Sequence, residues 1–77
     1  MTISVAIELV GRSECGLCDE ARATLRALGV EFLEQDVDAD PHLHHAFTDR
    51  VPVLLVDGRV VAEGRLHAAA VLRGLGR

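Results

Sequence analysis

Between residues 3 and 28 the hydrophobic period of the chain changes once, and the change falls on its only two cysteines. Ile3, Val5, Ile7 and Leu9 alternate with Ser4, Ala6, Glu8 and Val10, the period of a β-strand ending at Gly11. From Cys15 onward Leu17, Ala21, Leu25 and Leu28 recur at helical spacing, while Asp19, Glu20, Arg22 and Arg26 fall elsewhere around the cylinder. Acids in the first turn and Gly29 as a C-terminal cap complete the helix pattern. The stretch between, GRSECGLCD from Gly11 to Asp19, therefore places Cys15 and Cys18 at a strand-to-helix junction.

That junction favours sulfur chemistry over packing. Residues three apart on a helix have β-carbons roughly 5–6 Å apart, and a disulfide needs about 3.5–4.5 Å. A small adjustment in the first turn closes the pair. The ring encloses so few residues that it removes little unfolded-chain entropy, so it suits opening and closing better than stapling. Cys15 lies where unpaired backbone N–H groups and the helix dipole stabilise a thiolate, the reactive form in exchange. Cys15 is expected to be the nucleophile. Cys18, one turn further in with Leu17 and Ala21 on the apolar side, is expected to be less exposed and to act as the resolving thiol.

The remainder reads as scaffold. Val30 to Val37 is a second strand, with Val30, Phe32, Leu33 and Val37 among polar residues. Asp40 and Pro41 are an N-cap and first-turn pair for a short helix to about Asp49, with Leu43, Ala46 and Phe47 inward. Arg50-Val51-Pro52 leads into a strand from Val53 to Val56, Asp57-Gly58 is a two-residue hairpin turn, and Arg59 to Glu63 returns. Gly64 breaks that strand, and Leu66 to Leu75 closes the chain as a helix with Ala68, Val71, Leu72 and Leu75 on one face. The order βαβ-α-ββα implies an α/β fold, a four-stranded mixed sheet flanked by three helices, because strands joined by a helix run parallel and a tight hairpin is antiparallel. At 77 residues a single domain spanning 1–77 is expected, burying about 60% of its unfolded surface.

Composition removes several functions. A net charge of −4, no basic run and neither Trp nor Tyr disfavour nucleic acid as a partner. No apolar run approaches the roughly 18–20 residues of a membrane span, and the first residues lack a charged start followed by a long apolar segment. The protein is expected to be cytoplasmic, where a lone CxxC is catalytic or metal-binding more often than structural. Abundant Arg, Ala, Gly and Val without Lys or Asn hints at a GC-rich bacterial genome. His42, His44 and His45 with the cysteines invite a zinc reading, but the separation from Cys18 exceeds finger spacing and the histidines fall on another helix. Asp36, Asp38 and Asp40 lack the EF-hand pattern, and capping accounts for them. No metal site is expected, and His67 is read as a surface position in the first turn of the last helix.

A CxxC between the first strand and first helix of a βαβ unit is the thioredoxin-like redox signature. At this length the chain resembles a glutaredoxin-like protein: GRSECGLC resembles the active-site loop, Val51-Pro52 the valine before a cis-proline, and the Asp57-Gly58 hairpin and last helix fall in register. The resemblance covers essentially the whole chain and is nearest to small bacterial glutaredoxin-like proteins with a CxLC motif. It implies a thioredoxin-like fold and a thiol–disulfide oxidoreductase acting on protein or small-molecule disulfides. In it Cys15 attacks, and Cys18 or an external thiol resolves. Pro52 would be cis beside the cysteines, and the Val51 backbone would pair with substrate. Arg12 matches the basic position that in glutaredoxins helps hold a glutathione carboxylate, although from the residues alone a solvated surface charge is an equal reading. The motif is CGLC rather than CPYC, and Glu63-Gly64-Arg65-Leu66 stands where the family carries Gly-Gly and an acid. No bound cofactor is expected; glutathione is a candidate co-substrate, with a reductase as the other source of electrons, and the protein is expected to be a monomer. The alternative is an iron–sulfur carrier in which Cys15 of two protomers and two external thiols hold a [2Fe–2S] cluster, as in some glutaredoxins with Gly after the first Cys.

Overall fold

The computed structural model describes residues 6–76. Its elements run β1 (Ile7–Gly11), α1 (Gly16–Ala27), β2 (Leu33–Asp36), α2 (Pro41–Phe47), β3 (Val53–Val56), β4 (Arg59–Glu63) and α3 (Ala68–Gly74). The sheet order is β2-β1-β3-β4, with β1 and β2 parallel and the other two pairings antiparallel. This is the mixed four-stranded sheet with three helices that the element order implies. The expected beginning of the first strand, at Ile3 and Val5, lies outside the described residues.

The central strands carry apolar side chains on both faces, so each face has its own core. Leu9 and Leu54 join Ala21, Leu25, Leu66 and Val71 beneath α1 and α3. Val10, Val53 and Leu55 join Val37, with Leu43 and Phe47 of α2 against them, on the other face. Alternation along β1 and β3 thus feeds two layers, and aliphatic packing fills both.

Local chemistry sets the element ends. At the end of α1, Gly29 takes φ 70° and donates to Arg26 O, and Val30 donates to Leu25 O, both at 3.0 Å, which is a Schellman cap. Val30 is consequently committed to the cap, and β2 begins only at Leu33, later than the expected Val30. All four residues of β2 are exposed, and its charged Glu34 and Asp36 guard an edge strand against pairing. Asp40 caps α2, accepting from His42 N at 2.8 Å and Leu43 N at 3.3 Å. Asp57 and Gly58 both have positive φ, 51° and 79°, as a type I′ turn requires.

Several orientations differ from the periodic reading. Leu17 is exposed because the buried stripe of α1 begins at Cys18 and runs through Ala21 and Leu25. Ala46 is exposed, at the margin of the α2 face that carries Leu43 and Phe47. Ala68 is exposed at the very start of α3, and His67 is the N-cap of that helix rather than part of its first turn, its Nδ1 accepting from Ala70 N at 3.2 Å. Strand β4 skips Val61 in its register with β3, a bulge, and Gly74 of α3 lies so close that a β-carbon there would meet Val61 Cγ2 and O at 3.2 Å.

Candidate active site

Gly11 ends β1 beside Asp36 at the end of β2, and Val10 pairs with Val53 of the antiparallel β3. This register brings the loop after Gly11 and the residues just before Val53 to the same end of the sheet. Cys15 closes that loop as the N-cap of α1, and it is paired with Cys18 in a disulfide with Cα atoms 5.2 Å apart. Cys15 Sγ also accepts from Cys18 N at 3.2 Å, and Cys15 O from Asp19 N at 3.0 Å. The first sulfur therefore sits on an otherwise unpaired helix N–H, the donor that favours a thiolate once the pair is reduced. Cys15 is half-buried, whereas Cys18 is fully buried at 0% exposure. Only Cys15 is open to an incoming disulfide.

Gly11 makes room for the inner sulfur. A β-carbon on Gly11 would lie 3.3 Å from Cys18 Sγ and 3.4 Å from its Cβ, between a central strand and a packed helix. Gly11→Ala is expected to destabilise the protein by about 1–3 kcal/mol, as overpacking does, read as a lowered urea midpoint.

Arg12 follows directly, and its guanidinium is committed within the fold. Nε donates to Asp38 Oδ2 at 2.8 Å and Nη2 to Asp38 Oδ1 at 3.0 Å, a bidentate pair. Nη2 also donates to Thr48 Oγ1 at 2.7 Å and Nη1 to Thr48 O at 3.1 Å. Arg12 holds the Asp38 carboxyl below its ordinary value of 3.8, first by hydrogen bonding and then by charge. A carboxylate with a lowered folded-state pKa contributes stability that is present above its unfolded value and lost as pH falls through the folded one. Asp38→Asn is therefore expected to flatten the loss of urea resistance below pH 3.8 while lowering resistance at neutral pH.

Val51-Pro52 is a cis peptide, with Pro52 buried and Val51 packed against the α2-side core. Pro52 O accepts from Gly64 N at 2.9 Å, and Arg50 Nε meets Glu63 Oε2 at 2.7 Å. The proline loop is thus held against the corner after β4. Beside the cysteine loop, on the side of Leu9 and Arg22, lies a cleft of about 330 Å³ floored by Gly11, Ser13 and Asp36. Arg12 and Arg22 both line it, and both are already paired, Arg12 to Asp38 and Thr48 and Arg22 to Glu34 at 2.6 Å and Asp19 at 2.8 Å. Among the described residues no group of three His, Cys, Asp or Glu is arranged to hold a metal ion, and no helix is long and apolar enough to cross a membrane.

A model of the glutaredoxin-like domain family (DUF836) matches residues 6–76, all of the elements above. The chain belongs to this glutaredoxin-like family. Protein XcR50 from X. campestris is 33% identical, with a TM-score of 0.81 over 92% of this chain and 96% of that one. Protein Ne2328 from Nitrosomonas europaea is 27% identical, with a TM-score of 0.77 over 92% and 91%. The thioredoxin-like protein BC3987, at 23% identity and TM-score 0.69 over 88% and 97%, shares the fold. No curated protein matches the chain.

In this glutaredoxin-like domain the register puts the loop that carries Arg12 and Cys15 and the Val51-Pro52 segment at the same end of the sheet. The partners of Arg12 are what sequence reasoning missed. Asp38 and Thr48 lie 26 and 36 residues further on, and nothing in spacing joins them to a loop arginine. The backbone of Glu14 was also unmarked: it holds φ 57° immediately before Cys15, a left-handed conformation that a long side chain seldom adopts and no motif announces. Asp57, read as turn chemistry alone, also accepts from Ala6 N at 3.0 Å, tying the hairpin to the chain before β1.

Proposed function

We propose that the protein is a thiol–disulfide oxidoreductase in which Cys15 is the nucleophile and Cys18 the resolving thiol. One observation carries it: a half-exposed Cys15 sulfur on a helix N–H, within bonding reach of a fully buried Cys18. Cys15 thiolate attacks one sulfur of a substrate disulfide, forming a mixed disulfide and releasing the other half as thiolate. Cys18 thiolate then attacks the Cys15 sulfur, closing the internal disulfide and releasing the second half. Two external thiols reopen the pair and leave joined as their own disulfide. The Val51 main chain, presented by the cis proline, pairs with the substrate in strand fashion. Substrates are protein or small-molecule disulfides, met by a monomer in a reducing cytoplasm.

Turnover of hydroxyethyl disulfide with glutathione and glutathione reductase, run beside a dithiothreitol-driven reaction, tests this. Turnover in either supports exchange, and turnover with dithiothreitol alone assigns recharging to a thiol other than glutathione. Absence of both overturns it. The [2Fe–2S] alternative requires Cys15 to leave its disulfide and become one of four thiolate ligands between two chains. Anaerobic reconstitution gives a coloured dimer in that case, and a colourless monomer under the exchange reading.

A further inference from the structure

The Arg12 guanidinium joins three segments that meet at the cysteine end of the sheet. It belongs to the loop running from Gly11 to Cys15; Asp38 belongs to the turn between β2 and α2; and Thr48 caps the C-terminus of α2, from which the chain continues through Arg50 to the cis Val51-Pro52 bond. The turn is itself braced, since Asp36 Oδ1 accepts from Asp38 N at 2.9 Å, and Arg50 N donates to Phe47 O at 2.8 Å at the exit from α2. His44 Nε2 lies 3.3 Å from Thr48 Oγ1 and 3.7 Å from Asp38 Oδ1, closing a ring of side chains around the guanidinium.

Two features argue against a free anion site here. Four of the five N–H donors of an arginine are spent on Asp38 and Thr48, in the planar fork geometry that a substrate carboxylate would itself require. The Arg12 charge is also offset by the carboxylates of Asp38, Asp49 and Asp36, which weakens its pull on an approaching anion.

We infer that Arg12 is a positioning residue that clasps the Cys15 loop to the β2–α2 turn and to the end of α2, and is not an anchor for a substrate carboxylate. Cys15 accordingly serves disulfides that need no carboxylate at this end, a restriction that rests on the thiol–disulfide reading. Loosening the clasp frees the Cys15 loop relative to both its helix N–H and the Val51-Pro52 segment. Misplacement of a reacting group by about an ångström costs up to 10²-fold in rate.

The test is alkylation of the reduced protein at Cys15 by neutral iodoacetamide and by anionic iodoacetate, followed by peptide mapping, together with KM and kcat for hydroxyethyl disulfide. The variants are Arg12→Ala, Arg12→Lys, Asp38→Ala and the Arg12→Ala/Asp38→Ala pair. The Arg12 and Asp38 side chains are 33% and 47% exposed, and a circular dichroism melt of each variant establishes that it is folded before rates are compared. A clasp predicts that Arg12→Ala and Asp38→Ala each slow both reagents by the same factor, about tenfold. The pair is then no slower than the worse single variant, kcat falls with KM held, and Arg12→Lys fails to rescue because a point charge cannot reproduce the fork. A carboxylate anchor predicts the opposite: Arg12→Ala slows iodoacetate alone, Arg12→Lys restores it, and Asp38→Ala accelerates it by freeing the guanidinium. That pattern, or an Arg12→Ala protein as fast as wild type with both reagents, overturns the inference. A wild-type Cys15 no more reactive than a free thiol, with no turnover, overturns the exchange reading and removes the clasp's role with it.

Discussion

Cys15→Ser is expected to lose at least about 10³-fold in disulfide turnover, the scale on which removing a nucleophile registers. The loss should come without a fall in stability beyond that of the missing disulfide, because the serine hydroxyl can still accept from the Cys18 N–H as an N-cap. Serine keeps the cap and discards the chemistry, since a hydroxyl does not ionise in the range where a thiolate forms. Cys18→Ser is expected to behave differently. Its nucleophile is intact, so it attacks a disulfide and stops at the mixed disulfide until an external thiol resolves it. Steady-state turnover of hydroxyethyl disulfide by the two variants, beside circular dichroism melts in reducing buffer, separates these effects.

Leu54→Ala is expected to cost about 2–5 kcal/mol, the range for truncating a buried leucine. Leu54 is fully buried in β3, opposite Leu9 on one side and Ala62 on the other, in the core beneath α1 and α3. Against a total of about 4–12 kcal/mol for a chain this long, such a loss leaves the protein partly unfolded or melting roughly 10–30 °C lower. Val60→Ala, on the outer strand β4 with Val60 41% exposed, is the matched control and should change stability by no more than about 0.5 kcal/mol. Thermal melts of both report the difference, and equal losses would contradict the two-layer core.

What was legible in the sequence was what local chemistry writes. The CxxC spacing, the Asp40-Pro41 cap, the Asp57-Gly58 turn and the Gly29 stop each act within a few residues, and each element they bound was found. The alternation of Leu9 with Val10 was visible too, and it became two cores because β1 and β3 lie in the middle of the sheet. Where the structure departs from the periodic pattern, the pattern is silent on which neighbour or cap takes each residue. Leu17 shares helical spacing with Ala21 and Leu25, but the buried stripe enters α1 at Cys18, so Leu17 stays exposed. Val30 has strand propensity, but its N–H is drawn back onto Leu25. The bulge at Val61 answers to Gly74 of α3, thirteen residues on, and no periodicity records it. In the site, the cysteines were legible as a pair, while the ring of Asp38, Thr48 and His44 around Arg12 exists only once α2 lies over the sheet.

The central claim is that Cys15 carries the exchange, and trapping tests it most directly, with no assumption about glutathione or any reductase. Reduced Cys18→Ser protein is mixed with hydroxyethyl disulfide and its intact mass and peptide map are read. The account predicts one adduct per chain, equal to half of the disulfide and mapped to Cys15, which one added thiol removes. Under the same treatment reduced wild type gains no adduct and ends as the internal Cys15–Cys18 disulfide. A Cys18→Ser protein that forms no adduct, or a wild type that keeps its thiols free, would contradict it.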